Sequence, residues 1–194
     1  MLRNIIVLSL ALITCGFANA SGFGFQMGKA PSNYKCTAIN AQPGAYSCST
    51  APKPHSAFES YILKASEKHG ICWVKGIGRD IDDNGYGSNT KSAHAELVTL
   101  LSKPYGPVDE SLDLILPGSL WDEPNEWLMS IKKKERIFTS IWKDLAVTSK
   151  PDLDRIYLAV SATGSKTGWV GLEYYAKYHD DCAQANAESE SDAL

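Results

Sequence analysis

LDRIYLAVSATGSKTGWVGLEYYAKY, the stretch from Leu153 to Tyr178, carries the strongest strand pattern of the chain. Large apolar side chains recur at every second position from 156 to 160 and again from 170 to 174. This alternation predicts half-buried β-strands over 153–162 and 168–178. The residues between them are rich in glycine, serine and threonine, which are typical of turns. The stretch therefore predicts an antiparallel hairpin.

The same alternation assigns the two faces of this hairpin. If Ile156, Leu158 and Val160 face the core, the opposite face carries a cation, an acid and three aromatic rings. These residues are Arg155, Tyr157, Trp169, Glu173 and Tyr175. Aromatic side chains beside an arginine are typical of recognition surfaces. We therefore predict a partner-binding face here; the alternative is that an N-terminal hairpin or a long loop covers it.

Further patterns upstream complete the fold class. Strands are predicted over 57–66, 71–79, 108–116 and 136–143, with a hairpin over 34–50. Two helices interrupt them, one over 90–103 that Pro104 stops and one that starts near Pro124 and ends in the lysines 132–134. This order predicts an α+β fold, a mainly antiparallel sheet with both helices on one face.

Four cysteines of the mature chain predict two disulfides that staple the sheet. Cys36 and Cys48 lie at equal distances from Gln42 in a proline-glycine turn, which places them opposite each other, about 4.5–5.5 Å apart. Cys72 and Cys182 are then left for each other. No CxxC spacing suggests zinc, and paired cysteines leave no free thiol for catalysis. We predict no metal and no cofactor.

The first 20 residues have the three parts of a secretory signal peptide. Arg3 supplies a positive charge, an apolar run covers 5–13, and Ala18-Asn19-Ala20 forms a cleavage site. We therefore expect a periplasmic or secreted protein that is cleaved after Ala20. The alternative is lipidation at Cys15, because the residues before it resemble a lipobox.

Length and composition are those of a globular protein. The chain has 194 residues, of which 44% are hydrophobic and 21% charged, and a formal net charge of −3. Mild acidity argues against nucleic-acid binding, and no later apolar run approaches the ~18 residues of a membrane span. Beyond the signal peptide at 1–20, we predict a flexible lead-in at 21–33, a single domain at 34–182 and an acidic, disordered tail at 183–194. A short helix is predicted around 180–188, at the start of that tail.

The loop Asp80-Ile81-Asp82-Asp83-Asn84-Gly85 begins like a calcium-binding loop, which places oxygen ligands at alternate positions. Its twelfth position is Lys91, where a calcium loop carries a bidentate glutamate. We therefore interpret it as a turn into the 90–103 helix. The asparagine-glycine pair would supply a positive φ, the acids would favour the helix start, and Ser88 or Asn89 would cap it.

The order of these pieces resembles a group of small, largely uncharacterised exported proteins of Gram-negative bacteria. The shared features are a glycine-aromatic opening at 22–25, an Asn84–Gly87 loop, a helix end at 104–106, a glycine-started strand at 168–174 and an acidic end at 192–194. A fainter likeness to BamE-like envelope lipoproteins rests on Gly24–Gly28 and implies an opening helix. Neither resemblance implies an activity.

The sequence contains no G-x-S-x-G, H-E-x-x-H or P-loop motif. We therefore predict a non-enzymatic exported protein that binds a protein or glycan partner of the envelope through the aromatic sheet face. Two alternatives stay open. One is an envelope hydrolase or hydrolase inhibitor with a site assembled from distant residues, and the other is a lipid-anchored envelope scaffold.

Overall fold

A computed structural model describes residues 22–145, 150 and 152–191 of the chain. The predicted signal peptide with its Cys15 lies outside the described residues, and so do residues 192–194. Within the described ranges, none of the helices combines the length and the apolar character needed to cross a membrane.

Nine strands within these ranges form one antiparallel sheet. They are Cys36–Ala38 (β1), Ala45–Cys48 (β2), Phe58–Ser66 (β3), Gly70–Gly78 (β4), Ile81–Asp82 (β5), Glu110–Ile115 (β6), Arg136–Trp142 (β7), Leu153–Ala162 (β8) and Thr167–Ala176 (β9). The spatial order is β1-β2-β3-β4-β9-β8-β7-β6, and the short β5 pairs with the start of β9. The predicted α+β class is confirmed.

Three α-helices are described, Ser88–Tyr105 (α1), Trp127–Lys132 (α2) and His179–Ser191 (α3). Short 3-10 helices cover Gly22–Gly24, Pro31–Asn33 and Pro124–Glu126. α1 packs on β8 and β9, and α2 packs on β7 and β8, whereas α3 packs on β3 and β4. α1 continues past its predicted end to Tyr105, and the Gly106 N–H donates to the Ser102 carbonyl at its end. Pro104 therefore lies in the last turn, where it removes one N–H donor but no later turn depends on it.

The core lies between α1, α2 and the face of the sheet that the β8–β9 alternation assigned to the interior. Ile156 and Leu158 are fully buried. Across the β8–β9 ladder, Leu158 pairs with Leu172 and Ile156 pairs with Tyr174, which are also buried. Burial of these side chains contributes about 1.5–3 kcal/mol each, so the hairpin register is strongly specified.

The lead-in packs against the core, although the sequence predicted a flexible segment over 21–33. Phe25 and Met27 are buried, and the Phe23 ring meets those of Tyr61 and Tyr174 edge-on at 4.8 and 5.7 Å. Aromatic rings bury large apolar areas, which outweighs the conformational freedom of the glycines around them. The opening helix that the BamE-like resemblance implies is replaced by two one-turn 3-10 helices.

The C-terminal helix α3 contains the short helix predicted around 180–188 and continues to Ser191, into the predicted disordered tail over 183–194. Its composition is polar, so its stability depends on tertiary contacts rather than on an apolar stripe. Asn186 provides one such contact, since its Nδ2 donates to the Ala65 carbonyl at 3.0 Å. A disulfide near the helix start provides another.

Both predicted disulfides are present. Cys36 bonds to Cys48 directly across the β1–β2 hairpin, as the symmetry of the turn implied. Cys72 of β4 bonds to Cys182 of α3, over a sequence separation of 110. Two such bridges indicate that the chain folds in an oxidising environment.

Asp83 anchors the start of α1. Its carboxylate accepts the N–H groups of Asn89 and Thr90, at 3.1 and 2.7 Å, and the Thr90 hydroxyl at 2.6 Å. The acid therefore favours the helix start as predicted, but neither Ser88 nor Asn89 caps it with a side chain. Burial raises the pKa of Asp83, yet these hydrogen bonds together lower it further, so the pKa lies below its ordinary value.

The positive φ of this loop falls on Gly87, at 71°, and not on the predicted asparagine-glycine pair. Any side chain at Gly87 would also collide with the Trp127 ring. Gly85 is needed because a Cβ there would lie 1.9 Å from the Asn125 carbonyl oxygen. The loop therefore packs directly against the start of α2, and local sequence could not reveal that neighbour.

We expect the bridge between Cys72 and Cys182 to stabilise the fold more than the hairpin bridge does. A disulfide stabilises the fold by lowering the conformational entropy of the unfolded chain, and more so when it joins residues further apart in sequence. By this model, the Cys72–Cys182 bridge, with a sequence separation of 110, contributes about 4–5 kcal/mol, and the Cys36–Cys48 bridge, with a separation of 12, contributes about 3 kcal/mol. In urea, Cys72→Ala/Cys182→Ala should therefore lose more free energy of unfolding than Cys36→Ala/Cys48→Ala. A larger loss in the hairpin variant would contradict this expectation.

Asp83 should contribute stability that depends on pH. Because its folded pKa lies below the ordinary 3.8, the contribution is present above that pH and is lost as the pH falls through the folded pKa. Asp83→Ala should cost about 1 kcal/mol at neutral pH, the size of a helix cap, and less in acid. Urea unfolding at neutral pH and in acid measures how the cost of the substitution changes with pH. The control is Asp82→Ala, which changes the exposed neighbouring residue.

Candidate functional site

The side of the sheet facing away from α1 and α2 brings the five predicted binding residues together. Tyr157 pairs with Glu173 and Arg155 with Tyr175 across the β8–β9 ladder, and Trp169 lies further along β9. β4 adds two residues that the prediction missed, Trp73 opposite Tyr175 and Lys75 opposite Glu173. We call these seven half-buried residues the open face: Trp73, Lys75, Arg155, Tyr157, Trp169, Glu173 and Tyr175.

Among residues 22–145, 150 and 152–191, the elements that could have covered this face pack elsewhere. Phe23 and the rest of the lead-in lie on the helix side, against Tyr61 and Tyr174. The β1–β2 hairpin extends the sheet beside β3 and does not fold over it. α3 reaches the border only, where the His179 ring lies 4.9 Å from that of Tyr175.

Glu173 is the centre of a polar network on the open face. Its carboxylate accepts hydrogen bonds from the Trp73 indole at 3.0 Å and the Tyr175 hydroxyl at 2.5 Å, and it pairs with the Lys75 ammonium at 2.9 Å. Only 13% of the Glu173 side chain is exposed. Charge-assisted hydrogen bonds of this kind are short and directional, so they hold both aromatic rings in fixed orientations.

The network also keeps the Tyr175 phenol protonated. Burial raises the pKa of Tyr175, and the adjacent Glu173 carboxylate raises it further. The Trp73 indole and the Arg155 guanidinium act in the opposite direction, but their effects are smaller. The hydroxyl therefore acts as a permanent donor to Glu173 at physiological pH.

Three cations lie over aromatic rings of the open face and its border. The Lys64 ammonium lies 5.4 Å from the Trp73 ring, and the Lys75 ammonium lies 5.8 Å from the Trp169 ring. The Arg155 guanidinium lies 4.6 Å from the Tyr175 ring. These distances are within the range of cation–π attraction. The result is a surface in which positive charges alternate with rings.

A basic cavity continues the open face beyond Tyr157. It has a volume of about 390 Å³ and shares Lys75, Tyr157 and Glu173 with the open face. Its other charged walls are Lys132, Lys134 and Arg136. Arg136 is paired with Asp113 at 2.8 Å, whereas Lys132 and Lys134 are exposed. The field here is positive although the whole chain carries −3, which favours an anionic partner.

Apolar side chains extend the same side of the sheet to its edge. Ile141 pairs with Tyr157, and two residues away Leu112 pairs with Thr139. Leu114 and Ile137, the next pair on that side, are 48% and 37% exposed. Leu114 and Ile137 therefore form a small exposed apolar pair at the edge of the sheet, next to the half-buried Leu112 and Ile141.

The largest cavity described, about 670 Å³, lies elsewhere, between the β1–β2 turn, the β3–β4 turn and α3. Glycine and proline form much of its wall, and two of its polar side chains are already engaged. His69 stacks on Tyr178, and Asn186 donates to the Ala65 carbonyl. Size alone does not supply recognition chemistry, so we base the candidate site on the open face.

The calcium-like loop is used for structure. Asp83 holds the start of α1, and the Asp82 carbonyl accepts a hydrogen bond from Asn89 Nδ2 at 2.8 Å. Lys91, at the twelfth position, places its ammonium 4.2 Å from the centre of the Trp127 ring. Across the described part of the chain, no group of three or more His, Cys, Asp or Glu residues could hold a metal ion.

No family model, no curated protein and no solved structure matches this chain. The resemblances inferred from the sequence therefore stay predictions. The interpretation of the open face depends on its own geometry and chemistry.

Glu173→Gln should lower the pKa of Tyr175, because an amide carries no negative charge to disfavour the phenolate. Alkaline titration of phenolate absorbance measures the shift, and Tyr175→Phe identifies which transition belongs to this residue. Glu110→Gln is the matched control, since Glu110 pairs with Lys143 on the edge strand β6, away from Tyr175. An unchanged Tyr175 transition in Glu173→Gln would disprove the network.

Proposed function

We propose that this protein is an exported, non-enzymatic binding protein that recognises an acidic protein partner through its open face. The observation that carries the proposal is the Glu173 network, which holds Trp73, Tyr175 and Lys75 on a sheet face away from α1 and α2. A rigid sheet loses little conformational freedom on binding, so more of the contact energy appears as affinity.

The residue types support a protein partner. Tryptophan, tyrosine and arginine dominate the binding energy of protein interfaces, and the open face contains two tryptophans, two tyrosines and Arg155. A glycan, the other partner class that we considered, would stack on exposed ring faces. Lys75 and Arg155 already lie over rings of Trp169 and Tyr175, and a sugar would have to displace them.

Charge supports an acidic partner. Lys64, Lys75 and Arg155 outnumber Glu173, whose carboxylate is engaged within the network. Arg155 also lies 3.2 Å from Asp154, but both side chains are over 40% exposed, so that pair is weak. A second copy of this chain would present the same cations to this face and would be repelled.

Export supports the same proposal. The charged, apolar and small-residue parts of residues 1–20 favour a signal peptide cleaved after Ala20, and two disulfides favour an oxidising periplasmic or extracellular compartment. The hydrolase and hydrolase-inhibitor alternatives and the lipid-anchored scaffold stay predictions, the last because Cys15 lies outside the described residues.

The triple variant Tyr157→Ala/Trp169→Ala/Tyr175→Ala should weaken partner binding by about 30-fold or more, because truncating an interface hot spot typically costs about 2 kcal/mol. A photo-crosslinker at position 157 first captures the partner from envelope extracts. Calorimetric titration of the purified partner then measures affinity for the wild type and the variant. Raising the salt concentration should also weaken wild-type binding, since the cations are exposed to solvent.

The matched control is Tyr86→Ala/Leu120→Ala, which removes two side chains that are 54% and 81% exposed outside the open face. It should bind like the wild type, and circular dichroism should show native folding in both variants. Equal affinities of the triple variant and the control would refute the proposal. Recovery of a glycan or of a second copy of this chain at position 157 would refute the acidic-protein assignment.

A further inference from the structure

A second concave surface lies on the helix side of the sheet, opposite the open face. Two adjoining cavities of about 250 and 270 Å³ lie between α1 and the segment 53–58. Three residues line both of them, His55, Leu97 and Leu100, so the cavities form one groove. β9 provides the floor, with Val170 under one cavity and Leu172 with Tyr174 under the other.

The groove follows from how two elements share the sheet. α1 packs over β8 and β9, whereas the Gly22–Gly24 turn packs over β4. Between these two elements, β4 has glycines and therefore no side chains that could fill the space. Phe23 occupies the position that a side chain at Gly76 would need, and Gly78 packs on the Val170 backbone. A gap therefore remains above the boundary of β4 and β9.

Leu100 makes the groove a binding surface for apolar groups. Leu97 and Leu101 of α1 are buried against the sheet. Leu100 is 40% exposed, on the wall that both cavities share. Phe23 and Phe58 close the far end. Removing apolar surface from water is favourable, and a mainly apolar concave site with a few polar groups is typical of ligand pockets.

Polar groups converge at one end of the groove. Arg79 is held there by its own N–H, which donates to the Ala57 carbonyl at 3.0 Å, and by its Nε, which donates to the Ser56 carbonyl at 3.1 Å. Among the described residues, no carboxylate lies within ion-pair distance of the guanidinium. Its two terminal nitrogens can therefore bind an oxyanion in a fork.

His55, which lines both cavities, adds a second donor to the cavity that contains Arg79. Its Nδ1 accepts the Ala57 N–H at 3.2 Å, so the neutral ring carries its proton on Nε2. Glu96, on the α1 side of the same cavity, is the one acid that the described residues contribute to the lining, and Lys53 lies at the opposite end of the groove. The charges that border the groove are therefore mainly positive.

We propose that this groove binds a single-chain amphiphile, with its anionic head at Arg79 and His55 and its alkyl chain along Leu97 and Leu100. We expect an alkyl chain because the wall of the groove is apolar. We expect an anionic head because no carboxylate of the described residues pairs with the Arg79 guanidinium. The groove lies on the other side of the sheet from the open face, so this proposal is independent of the protein partner.

Octanoate and its uncharged analogue octanol test the proposal on the full chain. Methyl NMR should show saturable shifts at Leu97, Leu100 and Leu101, with octanoate bound about five-fold or more tightly than octanol because only the anion pairs with Arg79. Arg79→Gln should abolish that preference. Glu96→Gln should tighten octanoate alone, which keeps the test valid even if the arginine variant unfolds.

Leu100→Ser should weaken both probes by about ten-fold, a change in binding that corresponds to one lost apolar contact. Leu114→Ser is the matched control, since Leu114 is a similarly exposed leucine on the opposite side of the sheet. Absence of saturable shifts would overturn the site, and so would equal effects of the two leucine variants. Equal binding of octanoate and octanol to the wild type would overturn the anionic head group.

Discussion

The alternation of the β8–β9 hairpin is the constraint on which the rest of the structure depends. The register that pairs Leu158 with Leu172 in the core also pairs Tyr157 with Glu173 on the open face. Because side chains alternate strictly between the two sides of a strand, a slip by one residue would exchange these sets and bury an unpaired carboxylate. Hydrophobic burial on one side therefore determines where the recognition chemistry lies on the other.

Other parts of the fold keep the hairpin's neighbours in place. The disulfide from Cys72 to α3 joins β4 immediately beside Trp73, whose indole donates to Glu173. On the helix side, Asp83 holds α1, and the Thr90 side chain packs so closely on Gly168 that a Cβ there would lie 2.5 Å from its hydroxyl. The Cys72–Cys182 disulfide and the Asp83 cap thus hold elements that pack on β4 and β9, two strands of the site.

Two surfaces of different chemistry result from one sheet. The open face combines aromatic rings with cations, and the Glu173 carboxylate pairs with one of them, Lys75. The groove beside α1 combines apolar walls with Arg79, which has no carboxylate partner among the described residues. Their separation by the thickness of the sheet means that each can be occupied without blocking the other. The open face exists because α1, α2 and the lead-in pack on the other side of the sheet, and the groove exists because α1 and the lead-in cover that side only in part.

Sequence alone determined the features that depend on neighbours along the chain. Period-two alternation marked the strands and the sides of β8 and β9, and the symmetric turn paired Cys36 with Cys48, because local backbone geometry fixes these relations. Tertiary structure alone decided that β4 lies beside β9. That contact joins Trp73 to Glu173 across 100 positions, places Gly76 and Tyr174 where Phe23 of the lead-in packs on them, and forms the floor of the groove at Val170. Such pairings are chosen by the packing of the whole core, and no local pattern encodes them.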